Sequence, residues 1–94
     1  YGSKAEIINA FKKLNKKNKI TIKSLEKNFY TANLPDPDIL IRTGGRKRLS
    51  NFMLWQLAYS EIYFLDKLWP DFNNKDFKKI VNNFKKIKRN FGSI

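Results

Sequence analysis

The stretch that decides the fold is DILIRTGGRKRLSNFMLWQLAYSEIYFL, residues 38–65. Its first part, 38–42, is a short apolar run of branched residues, which is typical of a buried strand. Residues 61–65 form a second run of this kind, and 51–59 between them predict a short helix that begins after Ser50. A strand, a helix and a strand in this order predict a parallel pair of strands.

Two helices are predicted before this unit. Ser3 and Glu6 have the spacing of a capping box, which predicts a helix at about 4–15. Thr21 can cap a shorter second helix, which should end near Tyr30.

The last helix is predicted to begin after Pro70, with Asn73 or Asn74 as its cap. Its predicted apolar face consists of Phe77, Ile80, Val81, Phe84, Ile87 and Phe91. The charged residues that this face leaves outside are Lys78, Lys79, Lys85, Lys86 and Arg89. The predicted fold class is therefore α/β, with two short strands and about four helices.

Two parallel strands are too little sheet for an independent α/β domain, because such sheets are covered on both faces. The pattern therefore predicts part of a larger, mostly parallel sheet flanked by helices.

Composition excludes several kinds of chemistry. The 94 residues include no cysteine and no histidine, so disulfides, thiolate or imidazole metal sites and Ser-His-Asp or Cys-His nucleophiles are excluded. The longest nearly apolar run, 52–59, is far shorter than the roughly 20 residues that cross a bilayer. The first residues lack the pattern of a signal peptide, and we expect a cytoplasmic protein.

The charge is strongly positive, with 20 basic and 8 acidic residues and a net charge of +12. Such a charge attracts nucleic acids, anionic membranes or phosphorylated substrates. The many lysines accompany abundant asparagine and isoleucine, which favours a general compositional bias over a dedicated polyanion-binding face as the explanation of the charge.

A phosphate-binding loop is suggested after the first strand. Arg42, Arg46 and Arg48 are three of the four arginines of the chain, and guanidinium groups bind phosphate through several N–H donors. The glycine pair 44–45 would let a ligand approach the backbone, and Ser50 would offer a hydroxyl beside a helix N-terminus. This combination predicts a diphosphate cradle. The alternative is that the glycine pair is only a turn, Ser50 is only a helix cap, and the arginines are only exposed charges.

Glu61 is the candidate metal ligand. Mg²⁺ is commonly held by one or two carboxylates together with phosphate oxygens, and Glu61 follows the predicted cradle. A solvated or ion-paired glutamate is the alternative. Further carboxylates that could complete a site are those of Asp36, Asp38, Asp66 and Asp71.

Three segments closely resemble the C-terminal signature of the cis-prenyltransferase family, in particular that of the bacterial undecaprenyl diphosphate synthases. They are PDPDILIRTGG at 35–45, RLSNFMLWQLAYSEIYF at 48–64 and LWPDF at 68–72. The resemblance continues in YGSKAEI at 1–7 and RNFG at 89–92. It therefore covers essentially the whole chain, and it implies that residues 1–94 are the C-terminal fragment of a single domain.

The resemblance implies a transferase of isoprenoid biosynthesis that condenses isopentenyl diphosphate with an allylic diphosphate, usually farnesyl diphosphate, with the assistance of Mg²⁺. The product is a cis-polyprenyl diphosphate such as undecaprenyl diphosphate, the lipid carrier of cell-wall synthesis. The residues that it implies for isopentenyl diphosphate binding are Arg42, Arg48, Leu49 through its backbone, and Ser50. It implies that Glu61 is linked to Mg²⁺.

The same resemblance implies a homodimer, with the region around 51–59 contributing to the contact. The lipid product implies peripheral contact with the inner face of the membrane, and no nucleic acid is expected as a partner.

The chain departs from the family pattern in two places. Arg46 stands where the family often has glutamate, and the family's N-terminal half is absent together with its His-x-Asp-Gly-Asn-x-Arg-Trp loop. We therefore predict no catalytic residue in this chain and no activity from it alone. The alternatives are a small basic nucleic-acid-binding module and a noncatalytic prenyltransferase subunit.

Overall fold

The computed structural model describes residues 2–14 and 19–87, which fall into two compact units. The helical unit consists of the described residues up to Asp36 together with Leu49–Trp55. The sheet unit consists of Pro37–Arg48 together with the described residues from Gln56 onward.

The helical unit begins with helix α1, Ser3–Lys12, which has Gly2 as its N-cap. The predicted capping box of Ser3 and Glu6 is wrong, because both side chains are buried and bind elsewhere in the unit. The Ser3 hydroxyl accepts the N–H of Leu54 at 2.8 Å, and the Glu6 carboxylate accepts the N–H of Tyr30 at 3.0 Å. Buried polar groups require such partners, and these tertiary contacts replace the local cap.

Helix α2, Ile22–Glu26, begins where the sequence predicted. The Thr21 hydroxyl accepts the N–H of Ser24 at 3.0 Å, and the Ser24 hydroxyl accepts the N–H of Thr21 at 2.9 Å. The helix ends at Glu26, not near Tyr30, because the chain then tightens into turns, in which the N–H groups of Asn28 and Phe29 bind the carbonyls three residues earlier.

The core of the helical unit contains Ala10 and Phe29. The ring of Phe29 meets Trp55 edge to face, with 5.5 Å between the ring centroids. The Trp55 indole N–H donates to the Glu26 carboxylate at 2.7 Å.

The sheet unit contains strands β1, Ile39–Arg42, and β2, Glu61–Phe64. They pair in parallel as predicted, with Ile39 opposite Glu61 and Arg42 opposite Phe64. A short 3-10 turn, Trp69–Asp71, then leads to helix α3, Asn74–Lys85.

The N-cap of α3 is Asn73, one of the two predicted caps, and it forms a capping box with Asp76. Ile80 of the predicted apolar face is buried, whereas Phe77 is 48% exposed. Phe91 and Arg89 lie outside the described residues. Within residues 2–14 and 19–87, no helix is long and apolar enough to span a membrane.

The predicted helix at 51–59 is wrong, since this segment forms turns. Ser50, Asn51 and Met53 have φ angles of +52°, +60° and +46°, which a right-handed helix cannot contain. Contacts with α1 hold this conformation: the Asn51 carbonyl accepts the N–H of Ser3 at 2.8 Å, and its side chain accepts the N–H of Lys4 at 2.9 Å. A nine-residue segment has too little helical stability to resist such contacts.

The α/β fold class and the two strands are confirmed. Among the described residues there are three α-helices and one 3-10 turn, compared with the four or so predicted helices.

Candidate functional site

The candidate site is built on the loop that follows β1 in the sheet unit. Gly44 and Gly45 have φ angles of +93° and +80°, which strain any residue with a Cβ. Their amides bind the segment after β2: Gly44 N–H donates to the Lys67 carbonyl at 2.8 Å, and Gly45 N–H donates to the Leu65 carbonyl at 2.9 Å. The glycines therefore shape and fasten the loop, and their N–H groups are committed to this segment.

Arg42 lies at the carboxyl end of β1 and is half-buried. Its guanidinium donates to the main-chain carbonyl of Arg48, which closes the intervening loop on itself. The Arg42 carbonyl accepts the N–H of Leu65 at 2.8 Å and extends the β1–β2 pairing. Arg42 and Arg48, two of the predicted site residues, are thus brought together, because the side chain of Arg42 binds the backbone of Arg48.

The loop carries a dense positive charge. Arg46, Lys47 and Arg48 are consecutive and exposed, and with Arg42 they place four cations within seven residues. Because the side chains of the three are exposed, a bound anion would interact with them under partial screening by solvent. Arg46, which stands where the family often has glutamate, is exposed to solvent, so its charge does not require a buried acidic partner.

Leu49 and Ser50 continue the chain from Arg48 but belong to the helical unit. Ser50 is exposed, and its φ of +52° places it in a left-handed turn. The expectation that Ser50 stands beside a helix N-terminus is wrong, because the helix predicted to follow it is replaced by turns. A helix dipole therefore does not assist anion binding at Ser50.

Glu61 is the first residue of β2 and is half-buried. Its N–H donates to the Asp38 carbonyl at 2.9 Å. In the strand register it pairs with Ile39, whereas Arg42 pairs with Phe64. The two candidate residues are thus three positions apart along the strands, or roughly 10 Å at about 3.3 Å per residue.

A complete metal site is not assembled by this part of the fold. Across residues 2–14 and 19–87, no group of three or more Asp, Glu, His or Cys side chains could hold a metal ion. Glu61 can supply one carboxylate ligand, and Mg²⁺ would need its remaining ligands from phosphate oxygens, water or other residues.

A contact that sequence reasoning missed fastens the segment after β2 to α3. The Lys67 ammonium donates to both carboxylate oxygens of Asp76, at 2.9 and 3.0 Å. Together with the Asn73 N–H, this hydrogen bond lowers the pKa of Asp76 below its ordinary value. Since Gly44 binds the carbonyl of the same lysine, the glycine loop is linked through Lys67 to the first turn of α3. The Asn73–Asp76 spacing was a visible signal for a capping box, but nothing local indicated Lys67.

The comparisons with known proteins agree with the motifs. Residues 1–92 match the family model described as putative undecaprenyl diphosphate synthase. The chain belongs to this prenyltransferase family.

Relatives in this family span bacteria of several kinds. The chain is 43% identical over 100 residues to an isoprenyl transferase of Thermotoga maritima, covering all of this chain and 43% of the relative. It is 47% identical over 102 residues to an isoprenyl transferase of Oceanobacillus iheyensis, covering all of this chain and 40% of the relative. The chain thus spans about two fifths of the length of these relatives.

Two solved structures have the same fold over this region. A crystal structure of a probable undecaprenyl diphosphate synthase from Campylobacter jejuni superposes with a TM-score of 0.89 at 40% identity, covering 99% of this chain and 44% of that one. Lavandulyl diphosphate synthase from Lavandula x intermedia, in complex with dimethylallyl diphosphate, gives a TM-score of 0.88 at 35% identity with the same coverage. Family membership and fold are therefore supported by both sequence and structure.

Proposed function

We propose that the protein containing this chain is a cis-prenyltransferase that condenses isopentenyl diphosphate with an allylic diphosphate such as farnesyl diphosphate. This chain supplies the isopentenyl diphosphate half of the site. The observation that carries the proposal is the closed loop after β1, in which the Arg42 guanidinium holds the Arg48 carbonyl beside a glycine turn fastened by its amides. The names of the relatives and the diphosphate bound in the lavender enzyme support the same substrate class.

The loop suits a diphosphate for two physical reasons. Arginine presents planar, charged donors that can bind two phosphate oxygens at once. The backbone bonds from Gly44 and Gly45 hold the loop in shape before any ligand binds, so that binding loses little conformational entropy.

In the proposed condensation, the carbon–oxygen bond of the allylic diphosphate breaks, and the electron pair leaves with the diphosphate. The double bond of isopentenyl diphosphate supplies the electrons of the new carbon–carbon bond, and a proton is lost from the isopentenyl group. The arginine loop holds isopentenyl diphosphate by its diphosphate while these changes occur at the other end of the molecule.

Mg²⁺ belongs to the proposal as well. Its chemistry would be to neutralise diphosphate charge, and Glu61 would provide one carboxylate ligand. Since Glu61 and Arg42 lie at opposite ends of the paired strands, the other ligands would come from substrate oxygens and from residues outside those described.

The proposed active form is a homodimer. On the segment 51–59, Phe52 of the helical unit is 47% exposed and Tyr59 of the sheet unit is 54% exposed. Each of these side chains is a candidate interface residue, because apolar surface that is exposed in one subunit is often covered where two subunits meet. Size-exclusion chromatography with light scattering should give twice the mass of the intact protein, and a monomer at assay concentrations would contradict this element.

The function is tested by incubating the intact protein with farnesyl diphosphate, isopentenyl diphosphate and Mg²⁺. Formation of a cis-polyprenyl diphosphate is the expected result, and residues 1–94 alone should give none. An intact, folded protein that does not consume isopentenyl diphosphate with any allylic diphosphate would overturn the proposal. Turnover by the 94 residues alone would overturn the half-site assignment.

A further inference from the structure

Helix α3 carries a concentrated positive surface that the proposed reaction does not use. The lysine face, as we call it, consists of Lys75, Lys78, Lys79, Lys85 and Lys86, all of them exposed. At about 100° per residue these side chains leave the helix within a sector of roughly 120°. Four of the lysines, with Asn82 and Asn83, line an open groove of about 480 Å³.

This charge is not balanced within the helix. Asp76 is the one acidic residue of α3; its carboxylate is bound by Lys67 and by the Asn73 N–H, and it also attracts Lys79, so one carboxylate faces five lysines. The lining of the groove includes no carboxylate. Lys75 stands three and four positions before Lys78 and Lys79, and like charges at these spacings destabilise a helix. An external anion would relieve this repulsion.

We infer that the lysine face binds the surface of a bilayer containing anionic phospholipids. The inference rests on the proposed function, because a long polyprenyl diphosphate is apolar over most of its length and has to pass into a membrane. The charges lie along one side of a helix about 18 Å long, which suits a flat, fluid surface of headgroups.

The chemistry of the face favours lipid over nucleic acid. The groove is lined by lysine and asparagine, without arginine or an aromatic ring. Single-stranded nucleic acids are typically bound by stacking on aromatic side chains. Lysine ammonium groups act as point charges and require no fixed geometry of the phosphate, so they suit mobile headgroups.

The contact is electrostatic and does not involve insertion of the helix. The opposite side of α3 includes Ile80, which is buried in the protein. An inserting amphipathic helix would instead turn its apolar side to the lipid. Binding should therefore weaken steeply as salt shortens the range of the charges, with a Debye length of about 10 Å at 0.1 M.

The experiment is sedimentation of the intact protein with vesicles of phosphatidylcholine, with or without phosphatidylserine, in the absence of substrates. We expect binding only to vesicles that contain phosphatidylserine. Each lysine near such a surface contributes about a fivefold change in affinity, so the triple variant Lys75→Gln/Lys78→Gln/Lys79→Gln should bind about 100-fold more weakly.

The matched control removes three exposed lysines from the helical unit, as Lys13→Gln/Lys23→Gln/Lys27→Gln. It has the same net charge as the triple variant and should lose less than about fivefold. Equal losses in the two variants would mean that total charge alone causes binding, and the inference would fail. The inference would also fail if the α3 variant kept its vesicle binding. In a parallel assay with duplex DNA, a loss of DNA binding without a loss of vesicle binding would assign the lysine face to nucleic acid.

The outcome is separable from the proposed function by assaying turnover in detergent without vesicles. Turnover by a protein that does not bind the vesicles overturns this inference alone. Binding that depends on the lysine face, in a protein without turnover, supports the surface and overturns the proposed function.

Discussion

Replacing Arg48 with alanine tests directly whether the loop after β1 binds isopentenyl diphosphate. The Arg42 guanidinium holds the main-chain carbonyl of Arg48, and this carbonyl remains in the variant. The Arg48 side chain is exposed, so its removal leaves no cavity. The loop should therefore keep its conformation, and thermal unfolding should be nearly unchanged.

The expected loss comes from the charged hydrogen bond to phosphate, which contributes about 1.5–3 kcal/mol in proteins. Solvent screening at an exposed side chain favours the lower part of this range, which corresponds to roughly a 10- to 30-fold change in binding. The Michaelis constant for isopentenyl diphosphate should rise by about this factor, whereas that for farnesyl diphosphate should not change. Arg48→Lys keeps the charge but loses the planar donors, so its Michaelis constant for isopentenyl diphosphate should lie between those of the parent and of Arg48→Ala.

The assay is the initial rate of incorporation of labelled isopentenyl diphosphate by the intact protein at saturating farnesyl diphosphate. Lys13→Ala, an exposed cation in the helical unit, serves as the control. If the folded Arg48→Ala protein has the parent's Michaelis constant for isopentenyl diphosphate, the assignment of Arg48 is wrong. A rise only in the constant for farnesyl diphosphate would place the other substrate at this loop.

Three further changes test the framework of the fold by thermal unfolding of the intact protein. Gly44→Ala should destabilise it by about 1 kcal/mol because φ is +93°, although a Cβ there would meet nothing within 4 Å; an unchanged midpoint would mean that the loop relaxes without cost. Lys67→Met removes the group that lowers the pKa of Asp76, so it should lower the midpoint at neutral pH, and the difference from the parent should shrink as the pH falls below about 3.9, where the carboxylate becomes protonated. A loss that persists fully in acid would point to lost packing in place of lost charge. Burial and the nearby Glu26 raise the pKa of Asp36, which means that its ionised form opposes folding above that pKa. Asp36→Asn should therefore raise the midpoint at neutral pH and have little effect in acid, and a lower midpoint at neutral pH would contradict this reasoning.

Local patterns in the sequence determined the elements whose causes are also local. Branched residues in the run 38–42, and isoleucine with aromatic residues in the run 61–65, predicted the two strands, and their order predicted the parallel pairing. Thr21 and Asn73 were predictable caps, because a cap is formed by a side chain and an amide three residues away. The family followed from motifs that extend along nearly the whole chain.

The tertiary structure decided the features that depend on contacts between distant residues. Ser3 is far from Asn51 and Leu54 in sequence, yet its bond to Leu54 takes the place of a predicted cap, and its bond to Asn51 helps to hold turns where a helix was predicted. The site depends on contacts of this kind as well, since the glycine loop is fixed by the carbonyls of Leu65 and Lys67, which lie far along the chain from Gly44 and Gly45. The residue types at the site were therefore readable from the sequence, whereas the bonds that hold Arg42 on Arg48, and the distance from Arg42 to Glu61, depended on the strand register and on pairing across the fold. A buried polar group binds whichever partner the folded chain brings to it, and that partner need not be its neighbour in sequence.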